Sequence, residues 1–115
     1  MKNRLRKMTL SPAERSALDE LIGEVKKLWP KTKFKLFGLR VAGSADAESD
    51  IDILIQLPFP VTEEIRQQII HKSFDINLSY ESNISVLIVS QQEWNDGLLS
   101  VLAIHAAAET EGIAL

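Results

Sequence analysis

The segment from Asp50 to Leu57, DIDILIQL, constrains the fold of this chain more than any other stretch. Isoleucine and aspartate alternate at its start, which predicts a β-strand. Side chains two residues apart on a strand point to the same face, so Asp50 and Asp52 are expected to project together while the isoleucines enter a core on the opposite face. Because an unpaired carboxylate is costly to bury, the two aspartates need a partner or solvent.

A helix is predicted ahead of this strand. Ser11, Pro12 and Glu14 stand at the N-cap, N1 and N3 positions of a capping box. Apolar residues follow at helical spacing, and Pro30 ends the helix. These apolar positions are Leu18, Leu21, Ile22, Val25 and Leu28.

Two further strands are predicted, at 33–37 (KFKLF) and at 84–89 (ISVLIV), the second being apolar enough to be buried on both faces. Thr62 is expected to cap a second helix. The segment from Ser73 to Tyr80 fits both a strand and a helix. Its apolar residues alternate as in a strand, and they also continue the helical stripe of Ile65 and Ile69. We favour the helix.

The C-terminal part is predicted to contain a turn at Trp94, Asn95 and Gly97, then a helix over 98–109 that stops at Gly112. The predicted order is helix, strand, strand, helix, strand, helix. This order indicates an α+β (α/β) fold in which helices flank a small mixed sheet, as a single domain over residues 1–115.

Composition limits the function classes. The chain has 115 residues, a formal charge of −3 and no cysteine. The charge argues against a protein held to nucleic acid mainly by phosphate contacts, and the lack of cysteine excludes disulfides and thiolate metal sites. No apolar window is long enough to span a membrane, and the basic start MKNRLRKM lacks the apolar run of a secretory signal. We expect a soluble, cytoplasmic protein.

The run from Leu98 to Ala108 is apolar on nearly all sides. A domain of this size can hardly bury a terminal helix all round, so we expect a protein partner or a homodimer to cover this helix.

Two carboxylates held side by side repel each other and favour a cation between them. Mg²⁺ suits this oxygen ligand set and usually completes its shell with water and substrate phosphates. Upstream, the strand at 33–37 ends at Gly38, where backbone N–H groups could bind an anion. A phosphate site and a metal-holding pair together suit transfer of a phosphoryl or nucleotidyl group, whereas an isolated Asp-x-Asp is more often a solvated strand edge or turn.

These residues resemble the signature of the DNA polymerase beta-like nucleotidyltransferase superfamily, in particular its minimal stand-alone members associated with toxins and antitoxins. In that signature a strand ends in Phe-Gly-Ser-Arg, a loop of small residues follows, and Ser-Asp-Ile-Asp-Leu opens the next strand. The matching residues here are Phe37, Gly38, Arg40, Gly43, Ser49, Asp50, Ile51 and Asp52.

The resemblance implies that Asp50 and Asp52 are catalytic and hold Mg²⁺, and that Gly38, Leu39, Arg40 and Ser49 bind a nucleoside triphosphate, with ATP favoured. Arg40 would either add positive charge near the phosphates or be an exposed residue without a catalytic role. The implied reaction moves a nucleoside monophosphate to a protein, RNA or small-molecule acceptor and releases pyrophosphate. Nucleic acid would be a partner only as such an acceptor.

Two positions depart from the family pattern. Leu39 stands where the family has a small hydroxyl residue, and Ser85 stands where a later strand supplies a third carboxylate. Asp75 could replace that carboxylate only if 74–80 were a strand. The alternative function is therefore a weak or inactive member that serves as an antitoxin or binding subunit and pairs with a small helical protein.

Overall fold

The structure is a computed structural model, and it describes residues 10–37, 50–96 and 113–115. Within these ranges the chain forms seven elements in the order α1 (Pro12–Leu28), β1 (Lys33–Phe37), β2 (Ile51–Leu57), α2 (Glu63–Tyr80), β3 (Ile84–Ser90), α3 (Gln91–Asp96) and β4 (Ile113–Ala114). The predicted helix over 98–109 and its stop at Gly112 lie outside the described residues. None of the described helices is long and apolar enough to cross a membrane.

Helix α1 begins and ends where the sequence predicts. The Ser11 hydroxyl accepts the Glu14 N–H at 3.1 Å, and the Glu14 carboxylate accepts the Ser11 N–H at 2.9 Å. The capping box is therefore confirmed. At the other end, Lys26 and Lys27 occupy the last turn and Trp29 is the C-cap, one residue before Pro30.

The residues from Ser73 to Tyr80 are helical, as favoured, and complete the 18-residue helix α2. The Thr62 hydroxyl accepts the Ile65 N–H at 3.2 Å, which confirms the predicted N-cap. Glu81 ends the helix in the left-handed conformation (φ 53°), and its N–H donates to the Asn77 carbonyl. Asp75 is exposed on this helix, so it does not substitute for the missing strand carboxylate.

The strands form one mixed sheet in the order β3-β2-β1-β4. Strand β1 is antiparallel to both β2 and β4, and β2 is parallel to β3. The predicted α+β class, with a mixed sheet flanked by helices, is confirmed. Strand β4 has two residues and was not predicted; its pairing continues at Leu115, whose N–H donates to the Phe34 carbonyl at 3.0 Å.

One face of the sheet, which we call the core face, is covered by α1 and α2. Its buried cluster joins the alternate residues of the strands to the apolar sides of the two helices. From the sheet these residues are Phe34, Leu36, Ile51, Ile53, Ile55, Leu57, Ile84 and Ile88, and from the helices Ala17, Leu18, Leu21, Val25, Ile69 and Ile76. The predicted inward direction of the isoleucines of β2 is therefore confirmed.

The opposite face, called the second face, carries a smaller cluster in which Leu54, Val89 and Trp94 are buried. Trp94 belongs to the short helix α3, so the prediction of a turn at Trp94 and Asn95 is wrong. The Ser90 hydroxyl accepts the Glu93 N–H at 3.0 Å and donates to the Glu93 carboxylate at 3.2 Å. This Ser-x-x-Glu spacing is that of a capping box, and it starts a helix too short to show helical periodicity.

The prediction that 84–89 is buried on both faces is also wrong in part. Strand β3 lies at an edge of the sheet as described, and along it Ser85 is exposed while Val86 and Leu87 are half-buried. An edge strand lacks a neighbour on one side, so an apolar sequence alone does not bury it.

Candidate active site

The two aspartates stand at the start of β2, on the second face of the sheet. Asp50 directly precedes the strand and is exposed, and Asp52 is its second residue and is half-buried. Further along the same face the strand is buried at Leu54 and Gln56. The polar pair therefore lies at one end of a face that carries the buried cluster of Leu54, Val89 and Trp94 further along.

The sheet register brings a third polar side chain to the pair. Ser85 on β3 is the register partner of Asp52, and its hydroxyl donates to the Asp50 carboxylate (Oγ to Oδ2) at 3.2 Å. Ser85 thus occupies the place on the neighbouring strand from which a carboxylate would face both aspartates. Its hydroxyl stabilises the Asp50 carboxylate but adds no negative charge.

The environment of Asp52 disfavours its charged form. Partial burial raises the pKa of the Asp52 carboxyl above its ordinary value, and the nearby Asp50 carboxylate raises it further. A positive charge placed between the two carboxylates would offset both effects, because it stabilises the charged form of Asp52 and balances the charge of Asp50. The site is therefore electrostatically suited to a cation.

Few described side chains at this site could bind a metal ion. Among the described residues there is no group of three or more His, Cys, Asp or Glu side chains arranged to hold a metal ion. Two carboxylates are enough protein ligands for a Mg²⁺ ion whose other ligands are water and phosphate oxygens. They are too few for a site in which the protein supplies every ligand.

The predicted phosphate-binding residues follow β1. Phe37, the last residue of β1, is the register partner of Asp52 on β2, so β1 ends beside the acidic pair. Gly38, Leu39, Arg40 and Ser49 themselves lie outside the described residues, and their roles stay predictions.

The other polar candidates lie elsewhere. His71 and Asp75 are both exposed on α2, which covers the core face, so neither joins the acidic pair. Trp29 packs edge-on against Phe59, with ring centroids 6.2 Å apart, at the end of the sheet opposite the acidic pair. His105 lies outside the described residues.

Comparison with known proteins agrees with this geometry. The sequence matches the nucleotidyltransferase domain family over residues 18–103. A solved structure described as a toxin-antitoxin with AMP-PNP shares the fold, with a TM-score of 0.54 and 17% sequence identity over 86% of this chain and 69% of that chain. Among curated proteins, none matches the sequence. The matched family region contains β1, β2, α2 and β3 together with both aspartates, and the chain therefore belongs to the nucleotidyltransferase domain family.

Proposed function

We propose that this domain transfers a nucleoside monophosphate from a nucleoside triphosphate to a protein, RNA or small-molecule acceptor in a Mg²⁺-dependent reaction. The observation that supports the proposal most is the convergence of Asp50, Asp52 and Ser85 at one end of the second face. ATP is the favoured donor, in keeping with the AMP-PNP named for the similar structure.

Asp50 and Asp52 are the residues that would hold Mg²⁺. When bound, the ion would polarise the phosphate under attack and neutralise charge on the leaving pyrophosphate. The Ser85 hydroxyl, which donates to Asp50, would keep that carboxylate oriented toward Asp52. Gly38, Leu39, Arg40 and Ser49 would contact the triphosphate, mainly through backbone N–H groups because Leu39 offers no side-chain donor.

Isothermal titration with several nucleoside triphosphates, with and without Mg²⁺, tests the proposal. We expect Asp50→Asn and Asp52→Asn each to lose at least about tenfold in Mg²⁺-dependent nucleotide affinity. Asp75→Asn is the matched control, because Asp75 is exposed on α2 and should leave binding unchanged. Equal binding by the wild type and both site variants would contradict the proposal.

The alternative function is a weak or inactive binding subunit of a two-protein system, such as an antitoxin. It is favoured by the hydroxyl of Ser85, which stands beside Asp52 where a third carboxylate would act, and by the toxin-antitoxin description of the similar structure. The apolar run 98–108 stays the predicted surface for a small helical partner or for a homodimer.

Co-purification from the native host followed by mass spectrometry of any bound protein separates the two functions. A nucleotidylated partner supports the enzyme, and a tight but unmodified partner supports the binding subunit. The cytoplasmic location and the organisation as a single domain stay predictions from the sequence.

A further inference from the structure

Helix α2 carries a row of large apolar side chains that the fold leaves in solvent. Ile70, Phe74 and Leu78 are 37%, 62% and 65% exposed. They are spaced four residues apart and therefore form one continuous ridge along the helix, which we call the α2 stripe. The stripe exposes roughly 300 Å² of apolar surface, comparable to the largest patch on a typical monomer.

The stripe has no role in the core of the domain. The buried positions of α2 are Ile69, Ser73 and Ile76, which lie on the side of the helix that faces the sheet. The stripe is turned away from these positions, and it also lies outside the acidic site on the second face. An apolar ridge retained on the outside of a helix indicates a docking surface.

The neighbouring edge of the sheet is less suited to docking. The Asn77 side chain accepts the Ile84 N–H at 2.9 Å and donates to the Ile84 carbonyl at 3.1 Å. It thereby occupies the backbone groups that an added strand would use at the start of β3. A partner is therefore expected to bind through the side chains of α2.

We propose that the α2 stripe is the contact surface of a homodimer, in which α2 packs on α2 of a second copy around a two-fold axis at Phe74. With the helices running in opposite directions, Ile70 meets Leu78 of the partner subunit, because both lie four residues from the axis. The ridge is thus complementary to itself, as a two-fold contact requires.

One pair of opposite charges beside the stripe is also brought together in this arrangement. Arg66 lies eight residues before Phe74 and Glu81 seven residues after it, so each Arg66 comes level with Glu81 of the partner subunit to within about 1.5 Å along the helix. Asp75, one residue from the axis, is exposed on the flank of the stripe and is brought toward its own copy, so the complementarity rests on the pair of Arg66 and Glu81.

The exposed area predicts a weak dimer. A standard interface buries about 800 Å² on each partner, and the stripe supplies roughly 300 Å² of apolar surface before its polar flanks are counted. Interfaces at this low end are transient. We expect association at micromolar or higher protein concentrations and not at nanomolar ones.

Sedimentation equilibrium of the full chain from about 1 to 500 μM tests the proposal. We expect the mass of the wild type to rise toward that of a dimer, and Phe74→Glu to weaken association at least tenfold while its thermal unfolding shows that it remains folded. Gln68→Glu is the matched control, because it adds the same charge to an exposed position of α2 away from the stripe, and it should associate like the wild type. A wild type that stays monomeric, or a Phe74→Glu variant that associates equally well, overturns the proposal.

Cross-linking tests the position of the axis independently. The chain has no cysteine, so an introduced cysteine is the only thiol in each copy. Within the pure protein it can form a disulfide only with the same residue of a second copy. Phe74→Cys, next to its own copy across the axis, should form a disulfide-linked dimer on mild oxidation much faster than Gln68→Cys. Equal rates for the two variants, or capture of a different protein by the stripe of a monomeric chain, would overturn the proposal.

Discussion

At the scale of single residues, Asp52 shows how the site affects stability. Its pKa is raised, first by burial and second by Asp50, so the folded state favours the neutral carboxyl. The contribution of Asp52 to the free energy of unfolding is therefore most favourable at a pH below the unfolded-state pKa of this carboxyl. It is lost as the pH rises through the folded-state pKa. At neutral pH, therefore, the charged Asp52 makes the metal-free protein less stable than a neutral side chain would.

We therefore predict that Asp52→Asn raises the free energy of unfolding of the metal-free protein at pH 7, by less than about 1 kcal/mol because the carboxyl is only half-buried and partly screened. The gain should shrink as the pH falls toward 4. Urea unfolding of both proteins between pH 4 and 7.5 measures it. A gain that grows toward acid pH would contradict the prediction.

Asn77 connects the end of α2 to the beginning of β3. Its side-chain oxygen also accepts the Ser82 hydroxyl at 2.8 Å, in addition to the two hydrogen bonds with the Ile84 backbone. We predict that Asn77→Ala destabilises the protein by about 2 to 3 kcal/mol, because the Ile84 backbone groups lose their partners. Chemical denaturation should show Ser79→Ala, an exposed control on the same helix, within about 0.5 kcal/mol of the wild type.

At the scale of elements, local signals predicted most of the structure. The caps at Ser11 and Thr62 confirm their helices, because a cap depends only on residues within one turn. The second face shows the limit of this reasoning. Helix α3 carries a recognisable Ser-x-x-Glu signal at Ser90 and Glu93, but its six residues are too few for periodicity to separate a helix from a turn.

The capping box of α1 gives a prediction at this scale. Ser11→Ala should lower the free energy of unfolding by about 1 kcal/mol, since the N–H of Glu14 loses its acceptor. Ser16 is exposed within the same helix, and Ser16→Ala should be neutral or slightly stabilising because alanine is the better helix former. Thermal or urea unfolding compares the pair, and an equal loss in both variants would exclude capping as the cause.

At the scale of the whole molecule, the sheet separates two layers with different roles. The core face holds the large cluster under α1 and α2, and these helices are also linked on the surface by the Lys72–Glu24 ion pair at 3.0 Å. The second face is closed by Trp94 over part of its length and left polar at Asp50 and Asp52. Among the described residues, the acidic pair is therefore held on packed strands, with Asp50 exposed and Asp52 half-buried.

Trp94 is expected to stabilise this second layer strongly. It is 1% exposed and packs with Leu54 and Val89, so Trp94→Ala should cost about 3 to 5 kcal/mol. Trp29 is half-buried near the opposite end, and Trp29→Ala should cost clearly less. Denaturant unfolding followed by circular dichroism measures both, and similar losses would show that the second cluster is not a separate source of stability.

The sequence by itself determined the helix caps, the alternation that sends the β2 isoleucines inward and the aspartates outward, and the spacing that identifies the family, because all of these depend on residues close along the chain. Only the tertiary structure decided that Ser85 faces Asp50 from the next strand, that β3 is an edge strand closed at Ile84 by Asn77, and that Trp94 covers the second face. These contacts depend on strand order and on pairing between residues distant in sequence. Such pairings depend on the free energy of the whole packed fold, and the sequence of a short segment does not determine it.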